Sequence, residues 1–149
     1  MPPGDLRTLK ADFLLTNVGL AHQVMEAVNR EREKKGLSAL VRHERLTETA
    51  RGHSRDMAIR GYMGHVTPDG RTMEDRIRRA AVAYRSVAEN VAYNERAKHP
   101  DATAVESWMS STGHRKNILN PSFTHTGVGI AMSRDGKFYF TQLFLLPGE

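Results

Sequence analysis

The stretch that decides the fold is GVGIAMSRDGKFYFTQLFLL, residues 127–146, near the end of the chain. Two runs rich in apolar and β-branched residues flank Arg134-Asp135-Gly136. An Asp-Gly pair between two such runs is typical of a β-hairpin turn. The pattern predicts one strand over 127–133 and a second over 137–146, and the segment 84–93 is also partly strand-like.

Helical spacing dominates the chain before this hairpin. Asn17 is expected to cap a helix that runs to about Lys35, and Gly36 is a stop signal. Further helices are predicted at about 44–60, 72–81 and 100–109, with one more turn at 116–119. Because helices come first and the hairpin last, the chain is expected to be α+β, with helices packed on an antiparallel sheet. The residues expected to be largely buried are Leu46, Met57, Trp108, Val128, Ile130 and Phe140.

Length and composition limit the class of protein. The 149 residues carry a formal charge of +5 and no cysteine, so one domain can form without disulfides. We expect residues 1–16 to be an N-terminal tail and residues 17–149 a single domain, monomeric in solution. Weak attraction to anionic surfaces is expected, without specific nucleic-acid binding. No run approaches the roughly 20 apolar residues of a membrane span, and no intact signal peptide is recognised.

Three polar residues are the candidates for chemistry. His65 and His114 each follow a glycine, and Glu89 lies between them in the apolar segment 87–91. Each alone has an ordinary structural explanation: an exposed loop histidine, a histidine at a helix terminus, or a carboxylate that needs a partner if buried. Together they could hold a divalent ion such as zinc, or form a general-base pair in which the glutamate orients a histidine. The sequence contains no HExxH motif.

Other residues are interpreted more simply. His53 is expected to be a core histidine with satisfied hydrogen bonds, Trp108 to pack in the core, and the basic run 76–79 to be a solvated helix face. His125 could approach the rim of a cleft. A serine nucleophile is the alternative to histidine chemistry, but no GxSxG motif is present.

The chain resembles the CAP superfamily, also called SCP-like, which includes the cysteine-rich secretory, antigen 5 and pathogenesis-related proteins. The closer match is its compact bacterial branch. The resemblance runs from about Val18 to Leu146 and rests on five phrases in the family's order. They are HSRDM (53–57), GHVTPDG (64–70), AENV (88–91), SWMSSTGHRKNIL (107–119) and TGVG (126–129).

The resemblance implies an α-β-α sandwich, with a central antiparallel sheet flanked by helices, and a central cleft. Eukaryotic members of the family often line this cleft with two histidines and two glutamates, where zinc or another divalent ion can bind. Here His65, Glu89 and His114 match three of these positions and are the candidate metal ligands and catalytic residues. Ser111 stands where the second glutamate is expected, and Glu106 should point elsewhere on its helix. The cleft is therefore expected to comprise His65, Glu89, Ser111, His114 and His125.

Two functions follow from the resemblance. The first is a secreted, envelope or periplasmic module whose cleft binds a small-molecule, lipid or peptide ligand, with a divalent metal as a candidate cofactor. The second is a peptidase-like hydrolase that activates water with its histidines and Glu89, alone or on a metal. Zinc should bind more weakly than at the full family site because one carboxylate is missing. Glu89 is expected to raise the pKa of both histidines.

Overall fold

The computed structural model describes the backbone of residues 6–149 and the side chains of residues 17–149. Helices and strands alternate irregularly along this part of the chain. In order they are α1 (Leu6–Lys34), β1 (Val41–Arg42), α2 (Glu44–Arg60), α3 (Met73–Arg79), β2 (Tyr84–Glu95), α4 (Pro100–Met109), α5 (Thr112–Ile118), β3 (His125–Met132) and β4 (Lys137–Pro147).

The strands form one sheet in the order β1-β3-β4-β2. β3 and β4 are the two arms of the predicted hairpin, and β2 pairs with β4 along its length, also antiparallel. The hairpin prediction is therefore confirmed, and Gly136 has the positive φ of 85° that its turn requires. The two-residue strand β1 was not predicted: the chain after the connector at 37–40 pairs with β3 in parallel.

Helices cover both faces of the sheet. On one face, α2 and α3 bury Leu46, Ala50 and Ile77 against Leu143 and Leu145. On the other face, α1, α4 and α5 enclose the larger core. Its members include Val24, Val28, Ala104, Trp108, Ile118, Val128, Ile130, Phe140 and Phe144. The α-β-α sandwich is confirmed.

Helix α2 lies in backbone contact with strand β3. A Cβ atom added at Gly127 would lie 2.4 Å from the Leu46 carbonyl carbon, and one at Gly129 would lie 2.1 Å from the Arg51 amide nitrogen. Only glycine leaves room for such an approach. The Ser54 hydroxyl then donates to the Gly129 carbonyl at 2.8 Å, which fixes the helix along the strand.

The first helix differs from its prediction. It begins at Leu6 instead of Asn17, so part of the expected tail is helical, while residues 1–5 lie outside the described residues. Residues 6–16 contain neither glycine nor proline, and they include four Leu and one each of Lys, Arg and Ala. These residues favour helix. The helix therefore continues through Asn17, which does not act as its N-cap.

Gly129→Ala should therefore destabilise the protein strongly. Its methyl group would meet the backbone of α2, which cannot yield as a side chain can, and overpacking of this kind costs about 3 kcal/mol. Gly19→Ala is the matched control: Gly19 lies in α1 with no atom within 4 Å of the added Cβ, so a gain of up to about 1 kcal/mol is expected. Urea unfolding measures both, and equal stability of the two variants would contradict the close contact.

Candidate functional site

A buried carboxylate lies at the centre of the site. Glu89, on β2, points to the face of the sheet covered by α2 and α3, and its side chain is 1% exposed. The Arg76 guanidinium donates two hydrogen bonds to it, Nη1 to Oε2 at 2.6 Å and Nη2 to Oε1 at 2.9 Å. The His65 ring contacts the same carboxylate, with Nδ1 2.9 Å from Oε1. The burial of the charge is thus compensated by a cation and three hydrogen bonds.

Arg76 is held in place by the start of helix α3. Thr72 and Asp75 form a capping box, in which each side chain binds the other's backbone amide. Arg76 follows within the first turn, and its side chain is only 10% exposed. The expectation that the run 76–79 is a solvated face is wrong for this residue, because Arg76 turns inward to neutralise Glu89.

Hydrogen bonds to two backbone carbonyls, those of Gly64 and His65, fix the loop that carries His65. His53 of α2 donates from Nε2 to the Gly64 carbonyl at 2.7 Å, and Arg76 Nη2 donates to the His65 carbonyl at 2.8 Å. His53 is buried as predicted, although its Nδ1 has no partner among the described residues. His65 itself is 53% exposed. Since Nδ1 donates to Glu89, Nε2 is the ring atom available to a ligand.

The residue after Glu89 connects the sheet to the opposite layer. Asn90 donates to the His114 carbonyl at 3.1 Å and accepts from the Asn117 side chain at 2.9 Å. Asn117 also reaches the Glu89 carbonyl at 3.4 Å, and the Trp108 indole donates to the Val91 carbonyl at 3.0 Å. The side chains of α4 and α5 therefore cover the outer edge of β2, which would otherwise present unpaired carbonyl groups.

The two histidines come from opposite layers of the sandwich, and the charge of His65 is near enough to act on His114. His114 lies inside α5, whereas the sequence placed it after a helix, and it is half-buried. Burial lowers the pKa of His114, and the nearby charge of His65 lowers it further. The hydrogen bond with Glu89 raises the pKa of His65 against the opposing effect of burial. The expectation that Glu89 raises both pKa values is wrong for His114.

Glu89 remains ionised. Burial alone would raise the pKa of its carboxyl group, but the hydrogen bonds from His65 and Arg76 outweigh burial and hold that pKa below its usual range. The ion pair and the histidine contact therefore persist at neutral pH, with His65 in the tautomer that donates from Nδ1.

The remaining cleft candidates are placed differently. Ser111 is the N-cap residue of α5, three positions before His114, and makes no side-chain capping bond. Its role in the cleft stays a prediction. His125 begins β3, separated from Glu89 by strand β4, and its ring packs edge-on against His43 with 6.1 Å between centroids. The structure does not bring His125 to the Glu89 carboxylate, because the register of the sheet places it two strands away.

The donors do not fit zinc as they lie. Both oxygens of Glu89 are engaged by Arg76, so the carboxylate that would attract a divalent ion is already neutralised, and a second cation beside the guanidinium would be repelled. Within residues 17–149, no group of three or more His, Asp or Glu side chains is placed to hold a metal ion. We therefore assign no step at this site to a metal.

Arg76 is the residue that sequence reasoning missed. The signal for it was indirect: a glutamate in an apolar strand needs a partner if it is buried. Nothing in the spacing of 13 residues between Arg76 and Glu89 identifies which of the many arginines supplies that partner.

A sandwich of this topology, with a histidine–glutamate pair at the edge of β2, defines a CAP-type domain. The model of the cysteine-rich secretory protein (CAP) family matches residues 25–144, and the chain belongs to that family, in its bacterial branch. It is 41% identical over 111 residues to the uncharacterized protein YkwD of Bacillus subtilis (strain 168). This alignment covers 74% of the chain and 42% of YkwD, so the chain spans less than half the length of that relative.

Solved structures agree with this assignment. An extracellular protein containing an SCP domain from Bacillus anthracis str. Ames matches with a TM-score of 0.78 and 32% identity, over 97% of this chain and 45% of that one. An outer surface protein from Borrelia burgdorferi matches with a TM-score of 0.75 and 18% identity, over 83% of this chain and 90% of that one. The second likeness shows the fold alone.

The opposite pKa shifts of the two histidines can be measured directly. In a titration followed by NMR, His65 should titrate above the ordinary histidine pKa of about 6.5 and His114 below it. Glu89→Gln removes the charge that favours the imidazolium, so the pKa of His65 should fall. A His65 pKa that is unchanged by Glu89→Gln would contradict the pair.

The charge argument against zinc gives a second test. Wild-type protein, titrated with zinc near neutral pH by calorimetry, should show no binding that depends on His65 or His114. Arg76→Gln removes the competing cation and should tighten zinc binding, provided that circular dichroism shows a folded protein. Adding His65→Ala should abolish this gain. Zinc binding by the wild type that is lost in His65→Ala or in His114→Ala would show that the guanidinium does not exclude the metal.

Proposed function

We propose that this protein is a ligand-binding CAP domain whose cleft lies at the edge of β2, between His65 and His114. The observation that carries the proposal is the fixed array of Arg76, Glu89 and His65. Its buried ion pair holds an exposed imidazole in one tautomer and one orientation. A preorganised polar group at the mouth of a cleft can bind a ligand without the entropy cost of ordering a side chain.

The two histidines give the cleft complementary chemistry. His65, with Nδ1 bound to Glu89, offers Nε2 as an acceptor when neutral and as a donor when protonated. His114 has a lowered pKa and is neutral at pH 7. A ligand that bridges them would need a hydroxyl, amide or carboxylate group, which small molecules, peptides and lipid headgroups all carry. The proposed ligand is therefore a small molecule, a peptide or a lipid, the same classes that the family resemblance implies.

A His/Glu-assisted hydrolase is the second candidate, and one observation favours it. The Glu89 carboxylate binds Nδ1 of His65 at 2.9 Å, as a carboxylate orients a histidine that acts as a general base. Nε2 would then take a proton from water. Glu89, however, shares its charge with Arg76, which weakens its support of a developing imidazolium. For this reason binding is preferred to hydrolysis.

We place the proposed function outside the cytoplasm, in secretion or at the cell envelope. The support comes from a relative: the matching protein from Bacillus anthracis, which is 32% identical, is described as extracellular. The described helices are not long and apolar enough for any of them to cross a membrane.

One experiment separates the two functions. Wild type, His65→Ala and the control His22→Ala are screened against ester, amide and peptide substrates. The same proteins are titrated with small polar molecules, short peptides and lipids while amide NMR spectra are recorded. Binding predicts shifts at residues 64–66 and 112–115 that His65→Ala removes, without turnover. Turnover that is lost in His65→Ala but kept in His22→Ala would establish the hydrolase instead, and neither shifts nor turnover would contradict both.

A further inference from the structure

A pocket lies between α2, residues 67–71 and α3. Its volume is about 400 Å³, within the range of small-molecule sites. The side chains that line it include four arginines and only two aspartates. Neither His65 nor His114 is among them, so this pocket is distinct from the proposed cleft between the histidines.

The positive charge of the pocket is only partly neutralised. Arg60 is paired with Asp56 and Asp69, each at 3.1 Å, and Arg76 is paired with Glu89. Arg71 reaches the already shared Asp69 only at 3.6 Å. Among the described residues, no carboxylate pairs with Arg79, which is exposed at the rim. Two arginines from different elements are thus available to an anion.

Two buried polar atoms in the pocket wall lack a partner. His53 donates from Nε2 to the Gly64 carbonyl, so its Nδ1 carries a lone pair and can only accept a hydrogen bond. The Arg76 Nε–H can only donate. Both atoms are buried, and neither finds a partner among the described residues. Unsatisfied buried groups of this kind are rare in native proteins.

The two unpaired atoms have complementary chemistry: one accepts and the other donates, and a hydroxyl group can do both. It would donate to His53 Nδ1 and accept from Arg76 Nε. His53 is 2% exposed, and burial lowers its pKa, so the ring keeps its accepting lone pair at neutral pH. The wall of the pocket therefore favours a hydroxyl, while its rim favours an anion.

We propose that this pocket binds a small hydroxylated phosphate, whose phosphate group contacts Arg71 and Arg79 and whose hydroxyl group lies against His53 and Arg76. Guanidinium groups bind phosphate with paired, charge-assisted hydrogen bonds. A dianion also suits a lining whose arginines outnumber its aspartates. This inference does not depend on the proposed function: the two sites share Arg76, but Arg71 and Arg79, which are proposed to bind the phosphate, are not part of the array at His65.

The test uses the described fold and adjacent arginines as matched variants. Glycerol 3-phosphate, inorganic phosphate and glycerol are each titrated into the wild-type protein and followed by amide NMR. Glycerol 3-phosphate should bind most tightly, inorganic phosphate more weakly, and glycerol not at all. Arg79→Gln and Arg71→Gln should each weaken glycerol 3-phosphate about tenfold, as expected for a lost charge-assisted bond.

Arg78→Gln is the control, because Arg78 is the neighbour of Arg79 in α3 but does not line the pocket and pairs with Asp75. It should leave the affinity unchanged. Equal loss in Arg78→Gln and Arg79→Gln would show attraction to general positive charge and overturn the site. So would the absence of any shift at concentrations up to about 10 mM, where millimolar affinity is detectable. His65→Ala should retain phosphate binding, which separates this result from failure of the histidine cleft.

Discussion

The contact between the backbones of α2 and β3 is the constraint on which the rest of the structure depends. Gly127 and Gly129 let the helix approach so closely that any side chain there would collide with its main chain. This close approach fixes the position of α2 over the sheet. It also brings the Ser54 hydroxyl within hydrogen-bond distance of the Gly129 carbonyl. The residue before Ser54 is His53, which lies next to the loop that it anchors at Gly64. The position of the His65 loop therefore depends on the close packing of α2 against Gly127 and Gly129 of β3.

The buried charge of Glu89 links stability to the site. A carboxylate with 1% exposure is tolerable only while Arg76 and His65 remain in place. The lowered pKa of Glu89 stabilises the fold above its unfolded pKa, and this contribution is lost as the pH falls through the folded value. The raised pKa of His65 stabilises the fold below about 6.5, and this contribution is lost as the pH rises through its folded value. The array is thus most stabilising in mildly acidic solution.

Local patterns were sufficient for the hairpin, the order of the helices and the apolar core. The six residues expected in the core are all buried: Leu46, Met57, Trp108, Val128, Ile130 and Phe140.

The contact of His65 with Glu89 followed from the family resemblance. Arg76 did not follow, because an ion pair between a helix and a strand is fixed by packing and leaves no periodic signal. His125 was misplaced for a similar reason: proximity along the sheet depends on strand order, and β4 inserts between β3 and β2.

Adjacent residues of β2 connect the two layers of the sandwich. Successive side chains of a strand point to opposite faces, so Glu89 binds the layer of α2 and α3 while Asn90 binds α5. The proposed cleft between His65 and His114 would lie where these two attachments meet, at an edge that Trp108 and Asn117 also cover. A ligand in this cleft would contact both layers at once. Two adjacent residues of β2, Glu89 and Asn90, thus hold the two histidines from opposite faces of the sheet: Glu89 binds the His65 ring, and Asn90 binds the His114 carbonyl.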